Sequence, residues 1–501
     1  MARPRTNNDT LSSPQHLFIN GAYRPSSDNS TFHVTNPMTG EPIYPCAAAT
    51  AQDYLDAVAA AHAAYPRWSG ISPSARRLVL LRAADVLEGY LESDAPEILA
   101  SEVSATRSWV ALNIRATAGI LRETAGLATH IKGEIVPADR PGTTIMVERC
   151  PVGVVFAISP WNAPVNLTAR AIATPLICGN TVVLKPSEYS PKSQDLVIRA
   201  LTAAGLPPGA LNFLPTSPAL AAAVTEQTVK HRHVLRVNFT GSDRVGRIIA
   251  GWAAEVLKQC VLELGGKAPV LVLEDADVRG AVEAVVFGAL ANAGQICMST
   301  ERVVVHDSVA KEFTEALVEK VGDVSVGNHM ETPDVAISGL YTPSSCTRIL
   351  GLVREAMSQG ATLLTGRLTP SGPNNTILAP MVLSHVTPAM AIFHQETFGP
   401  IICLTTCSSD AEAVSLANDS DFSLAASVFS RDVMRALDVA RQVRAGSCHI
   451  NGPTVYIEPT LPNGGTGGSS GYGRFGGVAG IEEFTERKII TLARPGAKYP
   501  M

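Results

Sequence analysis

The sequence predicts an α/β protein built on two largely parallel sheets, each flanked by helices. Three observations carry this. From residue 152 short β-branched runs alternate with helical stretches, and the gaps of about 20 to 30 residues each fit one crossover helix. A second series of the same kind begins near residue 269, which calls for a second sheet. The length, 501 residues, is enough for about three structural units at roughly 150 residues per domain.

Taken in order, residues 1–15 are polar, and a short strand-and-turn region follows. Residues 51–130 read as several amphipathic helices rich in Ala, Leu and Arg, whose apolar faces must cover something. The first sheet is expected from VGVVFAI at 152, TVVLK at 181, LNFL at 211, VLRVNFT at 234 and VLEL at 261. The second runs from PVLVL at 269 through RVVVH at 302 to about 450, with the boundary near Gly265-Gly266. Between 462 and 480 the stretch PNGGTGGSSGYGRFGGVAG is too short for a repeat array and reads as a structured loop.

Composition narrows the function classes. Forty basic against 45 acidic side chains give a net charge of −5, and without a Lys/Arg-rich run there is no counterion-release term to drive nucleic-acid binding. No stretch reaches 18 uninterrupted apolar residues, so no membrane span is expected. The opening residues hold no apolar block of signal-peptide length. Nine cysteines, an odd number, show neither CxxC nor Cys/His metal spacing, which points to a reducing, cytoplasmic compartment and to no bound metal.

Two literal motifs mislead. Gly471-Tyr-Gly473-Arg-Phe-Gly476 fits GxGxxG, and Gly467-Gly-Ser469-Ser-Gly471 fits the nucleophile elbow of a serine hydrolase. Both need a preceding buried strand, and Pro462-Asn463-Gly464-Gly465 cannot supply one. A hydrolase using Ser469 therefore stands only as an alternative from a different class.

Widely separated signatures agree better. They are PVGVVFAISPWNAP at 151, GNTVVLKPSE at 179, FTGS at 239, LELGGK at 262, GQIC at 294 and ETFGP at 396, with 34 residues from Glu263 to Cys297. In this order the chain resembles the aldehyde dehydrogenase superfamily over roughly residues 15 to 490. GQICMSTERVVV at 294, NGPTV at 451 and GYGRFGGVAGIEEFT at 471 are most similar to its aromatic-aldehyde branch, the salicylaldehyde- and vanillin-dehydrogenase-like members. The resemblance implies a Rossmann-type NAD-binding domain over 16–132 and 152–264 and an α/β catalytic domain over 265–470. It also implies a small β oligomerisation flap from 133–151 and 478–501, and assembly as a homodimer or homotetramer.

The chemistry can be argued from the residues. Oxidising an aldehyde by hydride transfer first requires a tetrahedral carbon bearing an oxyanion, hence a nucleophile. A thiol such as Cys297 is the best such nucleophile near neutral pH, provided its pKa is lowered. Asn162, where a strand gives way to a helix, can offer its amide NH₂ to the oxyanion together with the Cys297 backbone N–H. The remaining thioester needs a base before water can attack it. Glu263 at the end of an apolar strand fits, because burial makes a carboxylate a stronger base; its competing reading is a loop glutamate paired with Lys267. The other eight cysteines read as inert core residues.

By resemblance, Lys185 and Glu188 hold the adenosine ribose, Gly241 and Ser242 open a helix toward the pyrophosphate, and Glu396 and Phe398 hold the nicotinamide ribose and ring. A carboxylate at the ribose favours NAD, while Lys185 leaves NADP possible. In the pocket, Arg170 and Asn463 stand where apolar residues line other members, and both are expected to read an oxygen on the substrate. Trp109 and Tyr456 are expected to clamp a flat ring. A broad-specificity aliphatic aldehyde dehydrogenase is the alternative within the same class.

Overall fold

The computed structural model describes residues 11–496. The first ten residues and the last five of the expected flap segment 478–501 lie outside the described residues.

The first sheet has seven strands in the order Gln259–Glu263, Val234–Thr240, Val154–Ile158, Thr181–Lys185, Leu211–Phe213, Leu17–Ile19 and Ala22–Arg24. The first five are parallel, and Leu17–Ile19 is antiparallel to both of its neighbours, Leu211–Phe213 and Ala22–Arg24. The inner strands read as near-continuous apolar runs because helices cover both faces. From Val154–Ile158 the chain first builds one way, then returns to build the other. That reversal opens a crevice at the carboxyl ends of the strands, where ligands of such sheets bind.

The helical layer follows from local rules. Thr50 caps helix Ala51–Gly70 in a reciprocal capping box with Asp53, and Ser72 caps Pro73–Gly89 with proline in the first turn. Helix Pro164–Ile177 is apolar nearly all round, as suits a helix buried under others. Trp68 is only 1% exposed and donates its indole N–H to the Leu176 carbonyl at 3.1 Å, tying the outer helices to this central one.

The second sheet also has seven strands: Thr362–Thr365, Met381–Ser384, Ile401–Cys407, Thr300–His306, Ala268–Val272, Ala425–Phe429 and Ser447–Ile450. All neighbours are parallel except the first pair. The chain passes from one sheet to the other between Glu263 and Ala268. The glycine-rich stretch then returns to the first: Leu262 and Leu264 donate their N–H groups to the Tyr472 and Ser470 carbonyls at 2.8 and 3.2 Å, and Phe475, Ile481 and Phe484 join that core. It is a structured loop, and neither literal motif in it follows a strand. Ser469 lies in a short turn with its hydroxyl accepting from Arg247 at 3.0 Å, so the serine-hydrolase alternative has no support.

A third, antiparallel sheet joins Glu134–Val136, Thr143–Pro151 and Thr485–Ala493. Among the described residues no helix is long and apolar enough to cross a membrane. Nor does any group of three or more His, Cys, Asp or Glu there have the geometry to hold a metal ion.

Trp68→Ala removes a large ring and a buried hydrogen bond from the junction of three helices. It is expected to lower stability by about 3–5 kcal/mol, read as a lower guanidinium chloride midpoint of the first unfolding transition.

Candidate active site

A cavity of about 790 Å³ opens between the helical layer and the second sheet, with Cys297 and Asn162 in its wall. Helix Arg107–Gly126 contributes Trp109, Leu112 and Ile120 to one side, and the loop after Ser447–Ile450 contributes Tyr456, Ile457 and Leu461 to another. Both shapes follow from sequence: an amphipathic helix lays its apolar face inward, and a Pro-rich loop closes over it.

Cys297 sits in a turn after Asn292, Ala293 and Gly294, which adopt left-handed φ values of 50, 57 and 74°. For the two non-glycine residues this costs about 1–3 kcal/mol each. The strain is held by contacts: Asn292 Nδ2 donates to the Asn162 carbonyl at 3.1 Å, and Asn162 Nδ2 donates to the Gln295 carbonyl at 2.9 Å. The Trp109 indole N–H also donates to the Asn162 carbonyl, at 3.0 Å. Asn162 is thereby fixed against the Cys297 turn, with one amide hydrogen left for an incoming oxygen. Trp109 lines the pocket but directs its only polar atom at Asn162.

The lowered pKa that the nucleophile role calls for is not what the structure gives at Cys297. Burial, and then the adjacent Glu263 carboxylate, push the thiol well above the ordinary thiol range; Arg170 offsets only part of this.

Glu263 is fully buried. Its partner is not Lys267 but Arg170, whose Nη2 lies 2.5 Å from Oε2. Arg170 lines the cavity as expected, yet its guanidinium is engaged there: the same nitrogen donates to Thr240 Oγ1 at 3.0 Å, and the group lies 4.9 Å from the Phe475 ring centroid. The fork expected to face substrate is turned, in part, toward the base. Lys267 is paired instead with Glu301 at 2.5 Å, with both side chains buried.

Asn463 is also in the cavity wall and 6% exposed. Its backbone pairs with Phe475, so it does turn the chain, but its Nδ2 is buried without a partner. Tyr456 is 48% exposed at the rim, with its hydroxyl donating to Glu458 at 2.9 Å.

The six candidate dinucleotide residues lie outside this cavity. Lys185 ends strand Thr181–Lys185, and burial lowers its ammonium pKa against the opposing pull of Glu188. Gly241 and Ser242 precede helix Asp243–Glu255, whose N-terminus receives no side-chain cap, leaving its first N–H groups open to an anion. A Cβ on Gly241 would lie 2.4 Å from the Phe239 ring. All four sit at carboxyl ends of strands around the reversal of strand order, which fits a dinucleotide.

Glu396 accepts from the Gly266 N–H at 2.8 Å, and burial, then the charge of Glu301, push it up to about 8. Phe398 is held with φ of 51°. Sequence reasoning missed what holds this loop: the Glu301 carboxylate accepts from the Thr397 and Phe398 N–H groups at 2.8 to 3.0 Å and from the Thr397 hydroxyl at 2.9 Å. A signal was present, since Glu301-Arg302 interrupts an otherwise apolar strand and buried charges must be paired. Also missed was an aromatic group beside the site, with Trp161 stacked on Tyr341 at 3.9 Å and edge-on to Phe398 at 5.9 Å.

The aldehyde dehydrogenase family profile matches residues 23–490. The chain is 46% identical to the vanillin dehydrogenase of Pseudomonas sp. (strain HR199 / DSM 7063), over 97% of this chain and 99% of that one. It is 45% identical to the salicylaldehyde dehydrogenase of Pseudomonas sp. (strain C18), with the same coverage. The crystal structure of a salicylaldehyde dehydrogenase from Pseudomonas putida G7 complexed with salicylaldehyde superposes with a TM-score of 0.94 at 44% identity, covering 98% of this chain and all of that one.

A raised thiol pKa has a direct test. Alkylation of Cys297 by iodoacetamide in the cofactor-free enzyme is expected to be slow at pH 7 and to rise about tenfold per pH unit through pH 9, following the thiolate fraction. Glu263→Gln removes the opposing charge and moves the profile to lower pH. A plateau below pH 8 in the parent contradicts the assignment.

Proposed function

Because this chain belongs to the aldehyde dehydrogenase family, and is therefore an enzyme that oxidises an aldehyde to its carboxylic acid with a nicotinamide dinucleotide, we propose that its substrate is an aromatic aldehyde bearing an oxygen substituent. We further propose NAD as the preferred cofactor and a cytosolic homodimer or homotetramer as the working form.

The reading of the chemistry rests on Cys297 and Asn162 lining one apolar cavity, with Glu263 close enough to Cys297 for its charge to act on the thiol. The Cys297 proton passes to solvent as Sγ attacks the aldehyde carbon, and the free amide hydrogen of Asn162 receives the resulting oxyanion. A nicotinamide dinucleotide, when bound, would supply the hydride acceptor for that carbon. Glu263 then removes a proton from the water that opens the thioester. Lys185 and Glu188 would hold the adenosine ribose, Gly241, Ser242 and the helix N-terminus the pyrophosphate, and Glu396 and Phe398 the nicotinamide end. Glu188 opposes a 2′-phosphate by about 1 to 4 kcal/mol at roughly 4 Å, which favours NAD.

The substrate reading is supported by Asn463. A buried amide donor without a partner costs about 1–3 kcal/mol, which a ring oxygen would relieve, while Trp109 and the surrounding apolar wall suit a flat ring. The named relatives acting on salicylaldehyde and vanillin agree with it.

Assembly is supported by the three-stranded sheet, where Ile135, Ile489 and Leu492 are 78, 69 and 62% exposed, an apolar surface with open strand edges. All nine cysteines are free, as suits a reducing compartment.

Cys297→Ala is expected to abolish NADH formation, whereas Glu263→Gln should give one turnover of NADH and then stall with acyl enzyme accumulating. Normal NADH production by Cys297→Ala would remove the covalent mechanism, and normal steady-state turnover of Glu263→Gln would remove Glu263 as the base. For the substrate, a hydroxybenzaldehyde should exceed benzaldehyde and hexanal in kcat/KM by roughly ten- to a hundredfold. Asn463→Phe should narrow that gap; an unchanged ranking takes Asn463 out of substrate recognition.

A further inference from the structure

Arg170 lies where a substrate-reading residue was expected, but its guanidinium contacts point elsewhere. We infer that Arg170 is a positioning residue for the hydrolytic half of the reaction: it holds Glu263 by one carboxylate oxygen so that the other is presented to the water attacking the thioester on Cys297. This rests on the reading of Glu263 as the hydrolytic base.

The two oxygens of Glu263 differ in their surroundings. Oε2 is 2.5 Å from Arg170 Nη2, whereas Oε1 is buried and without a partner. An unpartnered buried carboxylate oxygen is a standing cost unless a proton donor visits it, and the visitor the reaction supplies is water.

The guanidinium is held from three elements. Arg170 itself comes from helix Pro164–Ile177. Thr240, whose hydroxyl accepts at 3.0 Å, stands directly opposite Glu263 in the neighbouring parallel strand. Phe475, from the glycine-rich return loop, lies 4.9 Å from the guanidinium carbon. A charge placed between a strand end, a hydroxyl and a ring face has little freedom to swing toward the substrate.

The step balances. The water oxygen bonds to the acyl carbon and gives one proton to Oε1; the carbon–sulfur bond breaks with its electron pair going to Sγ; the acid leaves. The thiolate then takes the proton back from Glu263, restoring the thiol and carboxylate of the resting site.

The test is stopped-flow NADH formation by Arg170→Ala, Arg170→Lys and Thr240→Val, using benzaldehyde and 2-hydroxybenzaldehyde. With both aldehydes, Arg170→Ala should keep a first-turnover burst near one NADH per site while the following steady-state rate falls about ten- to a hundredfold. Lys should restore part of that rate, as should free guanidine added to the Ala variant. If Arg170→Ala does not fold, by its thermal melt, Thr240→Val should show a smaller loss confined to the steady state. A loss equal in burst and steady state, or one confined to KM for the hydroxylated aldehyde, overturns the proposal. Glu263→Gln run alongside separates the two readings: if it turns over normally, Glu263 is not the base. If it stalls while the Arg170 variants turn over normally, only the role given to Arg170 falls.

Discussion

The site depends on one close approach, where the chain crosses between its two sheets. A Cβ on Gly266 would lie 2.0 Å from the Cys297 carbonyl oxygen, and one on Gly265 would lie 2.8 Å from a Glu396 carboxylate oxygen. Only bare backbone fits, and its N–H is itself the donor to Glu396. The strand end bearing Glu263, the turn bearing Cys297 and the loop bearing Glu396 are thus brought together by a crossing of four residues. Lys267 completes it through Glu301, which holds the 396–398 loop by its backbone. Breaking such a buried pair from one side costs about 3–5 kcal/mol, so the geometry is rigid where it must be precise.

Three carboxylates around this crossing, two of them buried and Glu396 half-buried, have three different environments. Glu263 faces a guanidinium, Glu301 a lysine and backbone donors, and Glu396 chiefly one N–H and the unfavourable charge of Glu301. Identical side chains are thereby given separate tasks by their partners. Burial first, and then the charges of Glu263 and Glu396, push the Cys297 thiol upward, with Arg170 as the cationic counterweight.

Much of the architecture was legible in the sequence because inner parallel strands bury both faces and so read as unbroken apolar runs. The order of Asn162, Glu263 and Cys297 was legible because each sits in a short segment with its own signature. Their mutual relations were not. Arg170 and Glu263 are 93 residues apart, and nothing in local spacing says that a helix side chain will reach a strand end rather than a substrate. Burial likewise cannot be read at Cys297, so the direction of its pKa came out opposite to the one expected from its task. Trp109 looked like a ring wall and is also a hydrogen-bond donor to the Asn162 backbone, a role set by packing alone.

Away from Cys297, Asn162 and Arg170, the cavity wall is built from other stretches of chain. Trp109, Leu112 and Ile120 lie on one helix and Tyr456, Ile457 and Leu461 on one loop, whereas Cys297, Glu263 and Glu396 are secured at the crossing between sheets. Recognition and reactivity are therefore modular. Apart from Trp109, which also holds Asn162, drift in these two segments can retune which aldehyde enters while leaving the reacting groups undisturbed, a division that lets one scaffold diversify its diet without reinventing its chemistry.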